Sequence, residues 1–390
     1  MSNHITLDES VVAAVGFDVN NLLAQLQAVT DRRQARGVRY GLPFLLGVII
    51  LAKLAGQHRP SAIAQWVQLR QTELVTAFNC QRKTVPALNT IRRVLSNAVT
   101  ASELLTILNR FLHETYGGQQ SEQVTLDGKT LRGTIPRGQT EGEHLLTAFL
   151  PAESVVLSQV AVGAKENELV AAPKLLASLE LRGRVVTGDA LFTQRKLSVQ
   201  VLAGGGHYLW PVKDNQPRLA ENVGLFFVPP RKAPGWHIQP LPQTTAQTVD
   251  KAHGRLEQRT LTAVADETGF LDWPGSRQVF QLVRRVTCLM TGVVTVEQVY
   301  GLTSLPPERA DAGQLLHLVR QHWQIENGLH YRRDVTLQED STRMSNRQQA
   351  QAMAALNNFI IGLVAKLGFT NLALAQRRFD ARITLALALV

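Results

Sequence analysis

The sequence predicts a mixed α/β protein: an all-helical first third, a five-stranded mixed sheet with flanking helices, and a β-rich insertion late in the chain. Three observations predict it. Up to residue 118 the apolar residues recur at helical spacing. From residue 124 onward, short β-branched apolar runs alternate with helical stretches. The elements after the switch then read β-β-β-α-β-α-β, a long interruption, and a final α.

Asp18-Val-Asn-Asn-Leu-Leu starts the first helix, and Pro43 to Gly56 forms the second. The latter overlaps the most apolar stretch, Leu42 to Ala52, followed by Lys53. It is shorter than the ~20 residues that span a bilayer, so it reads as a buried core helix. Pro60-Ser-Ala-Ile-Ala-Gln-Trp begins a third helix with Ser61 at the N-cap. Ala87 to Leu95 and Ser102 to His113 follow. Two short helices broken near Pro86, the second carrying Arg92 and Arg93, match a helix-turn-helix that reads DNA. A plain solvated surface with two arginines is the competing reading. Gly117 to Glu122 is a linker.

Strands are predicted at Val124–Asp127, Leu145–Leu150, Val155–Val162, Arg184–Asp189 and His207–Lys213, and helices at Asn167–Leu179 and Thr193–Ala203. A last long helical pattern runs from Ala312 to about Arg333. This order matches the ribonuclease H-like arrangement, in which the first and fourth strands lie side by side. Asp127 and Asp189 are then neighbours in space. The interruption, about 215–311, is proline-rich and has β-branched runs of its own at 259–264, 279–286 and 295–300. It is too long for a structureless loop and reads as an inserted β subdomain. The tail from Gln348 is apolar and helical, with Ile360 to Ala365 packed on the sheet domain. The predicted division is therefore 1–118, 119–214, 215–311 and 312–390.

Composition narrows the function classes. With 45% hydrophobic and 18% charged residues the chain is a folded soluble protein, not a disordered tail. A net charge of +10 and a pI near 9.9 favour a polyanionic partner, although many basic proteins bind none. Cys80 and Cys288 have no zinc or disulfide spacing, which fits a reducing compartment. Met1 to Ser10 carries no secretion signal, so a cytoplasmic protein without a membrane partner is expected.

Three carboxylates carry the chemistry. Asp127 and Asp189 follow apolar runs where strands end, and Glu326 sits in the last helical pattern. Acids delivered in this way can hold Mg²⁺ or Mn²⁺, as a pair of ions, against a phosphodiester. Singly, each acid also fits a turn or cap, and Asp189 suits the cap of the helix opening near Thr193. His322, Glu326, His330 and Arg333 share one helical face, a polar stripe suited to phosphate beside a metal ligand. A solvated amphipathic face is the alternative. Asp334, Glu339 and Asp340 are expected to pair with Arg332, Arg333 and Arg343. Lys129 and Lys213, near the two strand acids, and the basic turn His253-Gly-Arg255 are further DNA-contact candidates. Asn167 is expected to cap its helix, and Trp236 and Trp273 to be buried.

Six peptides carry a family resemblance: residues 126–133 (Leu-Asp-Gly-Lys-Thr-Leu-Arg-Gly), 165–168 (Lys-Glu-Asn-Glu), 187–194 (Thr-Gly-Asp-Ala-Leu-Phe-Thr-Gln), 213–217 (Lys-Asp-Asn-Gln-Pro), 253–259 and 322–335. They resemble the DDE transposases of bacterial insertion sequences, of the ISAs or H-repeat-associated type, over nearly the whole chain. The resemblance implies an enzyme that binds terminal inverted repeats, cuts DNA and joins the 3′-OH to target DNA. It implies Asp127, Asp189 and Glu326 as the triad, double-stranded DNA as partner, a homodimer in the DNA complex, and a nucleoid-associated location. Related enzymes place Tyr, Arg and Lys at −7, −4 and +7 from the Glu; here Val319, His322 and Arg333 stand there, so only the +7 charge is kept. Two other functions fit the residues: a catalytically idle DNA-binding relative, and a ribonuclease H-like nuclease without strand transfer.

Overall fold

The computed structural model describes residues 19–36, 38–117, 122–163, 166–229 and 241–384. Asp18, Lys165, Trp236 and the 118–121 part of the linker lie outside them. Six helices come first: α1 (Val19–Gln27), α2 (Leu42–Leu54), α3 (Pro60–Leu69), α4 (Gln71–Ala77), α5 (Leu88–Arg93) and α6 (Ala101–Tyr116). α2 lacks a polar face because it has none to show: Leu42 and every residue from Leu45 to Leu54 are buried. Residues 78–87 separate α4 from α5, far more than the three- or four-residue turn of a helix-turn-helix. Two helices close the described chain, α11 (Arg347–Lys366) and α12 (Leu372–Ala381). α11 is buried along most of its length, and it packs into one apolar core with α2, α3 and α6. Leu145, Phe149, Val155 and Val156 from the sheet join that core. Among the described residues, no helix is long and apolar enough to cross a membrane.

The expected strands form, with corrected bounds: β1 (Gln123–Leu131), β2 (Glu143–Leu150), β3 (Val155–Val162), β4 (Val185–Thr187) and β5 (His207–Val212). α7 (Glu168–Ala177), α8 (Arg195–Ala203) and α9 (Pro217–Leu225) connect them or follow. β1 pairs antiparallel with β2 and parallel with β4, so the first and fourth strands are adjacent as expected.

The sheet does not stop at five strands. β6 (Gln243–Ala252), β7 (Arg255–Ala265), β8 (Gln278–Cys288) and β9 (Val294–Thr303) continue it in the order β3-β2-β1-β4-β5-β9-β8-β7-β6. The insertion is β-rich, as read, but it extends the main sheet. β9 runs antiparallel to β5 from Tyr300 to Thr303, covering backbone groups that would otherwise form a bare edge. α10 (Ala312–His322) starts at an Asp311–Gln314 capping box and lies on β6 and β7. Its pattern was expected to run on as one helix to about Arg333. Instead two wide π turns come next, Ile325–His330 and Arg332–Thr336.

Candidate active site

The β1–β4 register fixes the first two acids. Thr125 faces Thr187 across the strands, with 3.2 Å between the hydroxyl oxygens. Gln123 Nε2 donates to Thr187 Oγ1 at 2.9 Å and to the Leu318 carbonyl at 3.1 Å, tying α10 to both strands. Parallel pairing ends there. Two residues further along each strand stand Asp127 and Asp189, flanking the point where β1 and β4 part. Asp127 thus lies inside β1, not at its end, but at the end of its pairing with β4. Asp189 does not cap α8, whose N-cap is Gln194; it caps the short 3₁₀ turn Ala190–Phe192, where Oδ1 accepts from the Leu191 amide at 2.9 Å.

Glu326 comes from the first π turn. His330, 6% exposed, stands between it and Asp127, with Nδ1 3.4 Å from Asp127 Oδ2 and 3.6 Å from Glu326 Oε2. One ligand atom from each of Asp127, Glu326 and His330 lies within 4.8 Å of the other two. Asp189 is outside that group, and its own carboxyl is raised, chiefly by burial. Burial and the charges of Glu326 and Glu168 push Asp127 up to about 7. The His330 imidazole beside it holds the Glu326 carboxyl below its usual range. Negative charge is therefore in excess, and an oxygen-rich set with one imidazole fits a divalent cation such as Mg²⁺ or Mn²⁺.

The stripe of four does not survive intact. A π turn inserts a residue and rotates the side chains beyond it by about 100°. Arg333 is turned off the site into the core, 0% exposed, where its guanidinium meets Glu339 Oε2 at 2.7 Å. It cannot contact DNA there. His330 is a partner of the acids, not a surface cation. His322 is half-buried with Nδ1 3.3 Å from Thr187 Oγ1, and burial lowers it to about 4, so it is neutral near pH 7 and is not a phosphate-binding cation. Lys129, 8% exposed, is claimed by Asp334 at 2.7 Å and Asp340 at 3.4 Å, which removes it from the DNA candidates. Glu339 pairs with Arg333 as expected, whereas Asp334 and Asp340 go to Lys129.

Lys213 is exposed at the end of β5 and its charge lowers Asp189. Arg92 and Arg93 are exposed on α5, and His253 and Arg255 are exposed at the β6–β7 turn. Trp273 is buried, with Nε1 donating to Ser198 Oγ at 3.1 Å. Asn167 sits at the N-cap of α7 without a side-chain capping bond. Sequence reasoning missed Glu168 and His144, paired at 2.8 Å beside Asp127. The Lys-Glu-Asn-Glu peptide was the available signal for Glu168.

Against known families, residues 118–363 match the transposase DDE domain. The chain belongs to the DDE transposase family. Residues 23–112 of this family member match the domain described as associated with it. Over 355 residues the chain is 28% identical to YncI of Escherichia coli O157:H7, named as a transposase, covering 89% of this chain and 88% of that one. With the H repeat-associated protein YhhI of Escherichia coli K12 it shares 24% identity over 356 residues, 89% and 91% of the two chains. The resemblance carried by the six peptides is thus borne out. A piggyBac transposase synaptic complex with hairpin DNA superposes with a TM-score of 0.42 at 10% identity, covering 98% of this chain and 80% of that one. The strand order, not this likeness, describes the fold.

Proposed function

We propose that this DDE transposase-family chain binds the terminal inverted repeats of an insertion sequence, cuts the DNA there and transfers the freed 3′-OH to target DNA. The observation that carries the reading is the convergence of Asp127 and Glu326 on His330, with Asp189 at the same strand gap. We read β1–β5 as a ribonuclease H-like core, residues 1–118 as a DNA-binding helical region, 215–311 as a sheet extension and 312–390 as the carrier of the third acid. Asp127, Asp189 and Glu326 would hold one or two Mg²⁺ or Mn²⁺ ions. When bound, such ions activate the attacking oxygen and stabilise the leaving oxygen of an in-line displacement at phosphorus.

The residues around the acids have definable roles in this reading. Asp127, pushed up to about 7 by burial and neighbouring acids, would hold a cation in its deprotonated form. His330 Nδ1 orients the Asp127 and Glu326 carboxylates from one point. Lys213 meets a phosphate next to Asp189, while Arg92, Arg93, His253 and Arg255 contact DNA farther away. The assembly on DNA is a homodimer in the bacterial nucleoid.

The test is incubation of the purified chain, with Mg²⁺ or Mn²⁺, on DNA carrying the flanking inverted repeats, plus a supercoiled plasmid as target. Cleaved ends and joined products are expected, and Asp127→Asn should abolish both. Unchanged cleavage by that variant overturns the assignment, as does end binding without cleavage at any metal concentration. Cleavage without joining would leave a nuclease.

A further inference from the structure

β1 leads into a connection, residues 132–142, that turns back to β2, and residues 339–344 lie against it. The contact is backbone on backbone: a Cβ at Gly133 would collide with the Thr342 carbonyl oxygen. The Met344 amide donates to the Gly133 carbonyl at 3.1 Å, and the Arg132 amide donates to Asp340 Oδ1 at 3.2 Å. The Glu339 amide in turn donates to the Arg333 carbonyl at 2.9 Å. This floor is therefore fixed both to the strand of Asp127 and to the π turn beyond Glu326.

Between the two segments opens a cavity of about 610 Å³. Arg132, Arg137 and Arg343 line it, and among the described residues Asp340 is the one acid there. That acid is already committed, because Lys129 Nζ lies 3.4 Å from it and the Arg132 amide takes Oδ1. Arg132 Nε stands 3.7 Å from Oδ2, with its side chain 78% exposed. Arg343 donates from Nη1 to the Ile135 carbonyl at 2.8 Å, which fixes the guanidinium without neutralising it. Among the described residues neither Arg343 nor Arg137 meets a carboxylate. Arginines scattered on solvated loops are ordinary. Here three from distant parts of the chain surround one walled space that is short of negative charge, and guanidinium forks match phosphate oxygens.

We propose that this cavity grips backbone phosphates of duplex DNA, outside the metal site, through Arg132, Arg137 and Arg343. Leu131 stands four residues past Asp127 on β1, an extended span of about 13 Å. Phosphates advance along one duplex strand by roughly 3.4 Å per base pair, so the gripped ones begin about four base pairs from the phosphate at Asp127. None of the DNA-contact cations named above lines the cavity. The inference rests on the DNA reading above and deepens it, since a phosphate held on this floor sets the register of the duplex at the acids.

The experiment measures binding of the full chain to a duplex carrying the inverted repeat, by fluorescence anisotropy across a salt series. It compares wild type, Arg132→Gln/Arg137→Gln/Arg343→Gln, the same three changed to Lys, and Arg137→Gln alone. Arg182→Gln, at an exposed arginine before β4, is the single-charge control. The triple Gln variant should lower the slope of log affinity against log salt by about 2–3 and weaken binding at least ~10-fold. The Lys variant should recover most of both. Arg137→Gln should lower the slope by about 1, and Arg182→Gln by no more than ~0.3. Arg137→Gln breaks no hydrogen bond among the described residues, so it carries the test if melting shows the triple variant unfolded. Neutral methylphosphonates placed about four base pairs from the cut should weaken the wild type and add no further loss to the triple Gln variant. If the wild type binds and cleaves while the Gln variants keep its affinity and salt slope, the inference falls alone. Pyrophosphate that binds the wild type but not the triple Gln variant, with DNA affinity equal in the two, would make this a site for free phosphate compounds and overturn it. If the wild type binds no duplex, the DNA reading falls and takes the inference with it.

Discussion

The stretch from Glu326 to Asp340 borders two charge clusters of opposite balance. On one side, Asp127 and Glu326 flank the His330 imidazole, and the charges of Glu168 and Asp189 are felt at Asp127, in a cluster partly open to solvent. On the other, Glu339 lies buried between cations. Arg333 Nε donates to it at 2.8 Å, Asn357 Nδ2 at 2.7 Å, and the fully buried Lys53 feels its charge. Among the described residues Lys53 Nζ has no hydrogen-bond partner, and burial lowers it to about 8. The difference teaches what each cluster is for. The buried one is closed and carries its own counter-charge, so it ties α2, the second π turn and α11 together. The open one is short of positive charge that solvent ions can supply.

The contrast is broken most severely at Glu339. Glu339→Gln leaves Arg333 and Lys53 charged in the core with no carboxylate, and should cost about 3–5 kcal/mol in urea unfolding. A loss below ~1 kcal/mol would mean that water or another acid reaches this cluster.

Next comes pH. Asp127 has a folded value of about 7, above its unfolded 3.8, so between these values the native state binds more protons. Stability should therefore be greatest in acid and fall as pH rises through that window, by up to ~4 kcal/mol from this group. Asp127→Asn should flatten that part of the profile, and millimolar Mg²⁺ should flatten it in the wild type. A wild-type slope untouched by either change would place the proton elsewhere.

Lys53 has the opposite sign. Its folded value near 8 lies below 10.5, so the unfolded chain binds more protons between them and stability should rise across that window. Lys53→Met should remove this rise and stabilise the chain near pH 7 by about 1 kcal/mol, because one buried cation suffices for Glu339. Melting that is lower at pH 7 would show that Lys53 is needed there.

Much of the site was legible because it depends on short-range rules. β-branched runs ending in Asp127 and Asp189 announce strands, and element order makes those strands neighbours. Glu326 was legible as a helical acid, and helical spacing correctly joined it to His330. The same spacing misplaced Arg333, because apolar periodicity does not reveal where a π turn inserts its extra residue. Lys129 looked like a free cation because its partners, Asp334 and Asp340, are more than two hundred residues away in the chain. Glu168 hid behind the ordinary habit of acids at helix starts. The nine-stranded sheet was hidden for another reason: the join of β5 to β9 rests on four residue pairs, and strand propensity says nothing about which edge a strand seeks.

The core shared by α2, α3, α6 and α11 has a consequence for synthesis. The helices before residue 118 leave the ribosome early, yet the partner that covers their apolar side begins at Arg347. At about 5–20 residues per second, the intervening segment takes on the order of 10–50 s to emerge. Throughout that interval the nascent chain presents Leu108, Phe111 and Leu112 without the Phe359 and Ile360 that will cover them. A product cut short before α11 is thus left with an open core and becomes a target for chaperones and proteases, so in the cell completion of the chain is itself a checkpoint on folding.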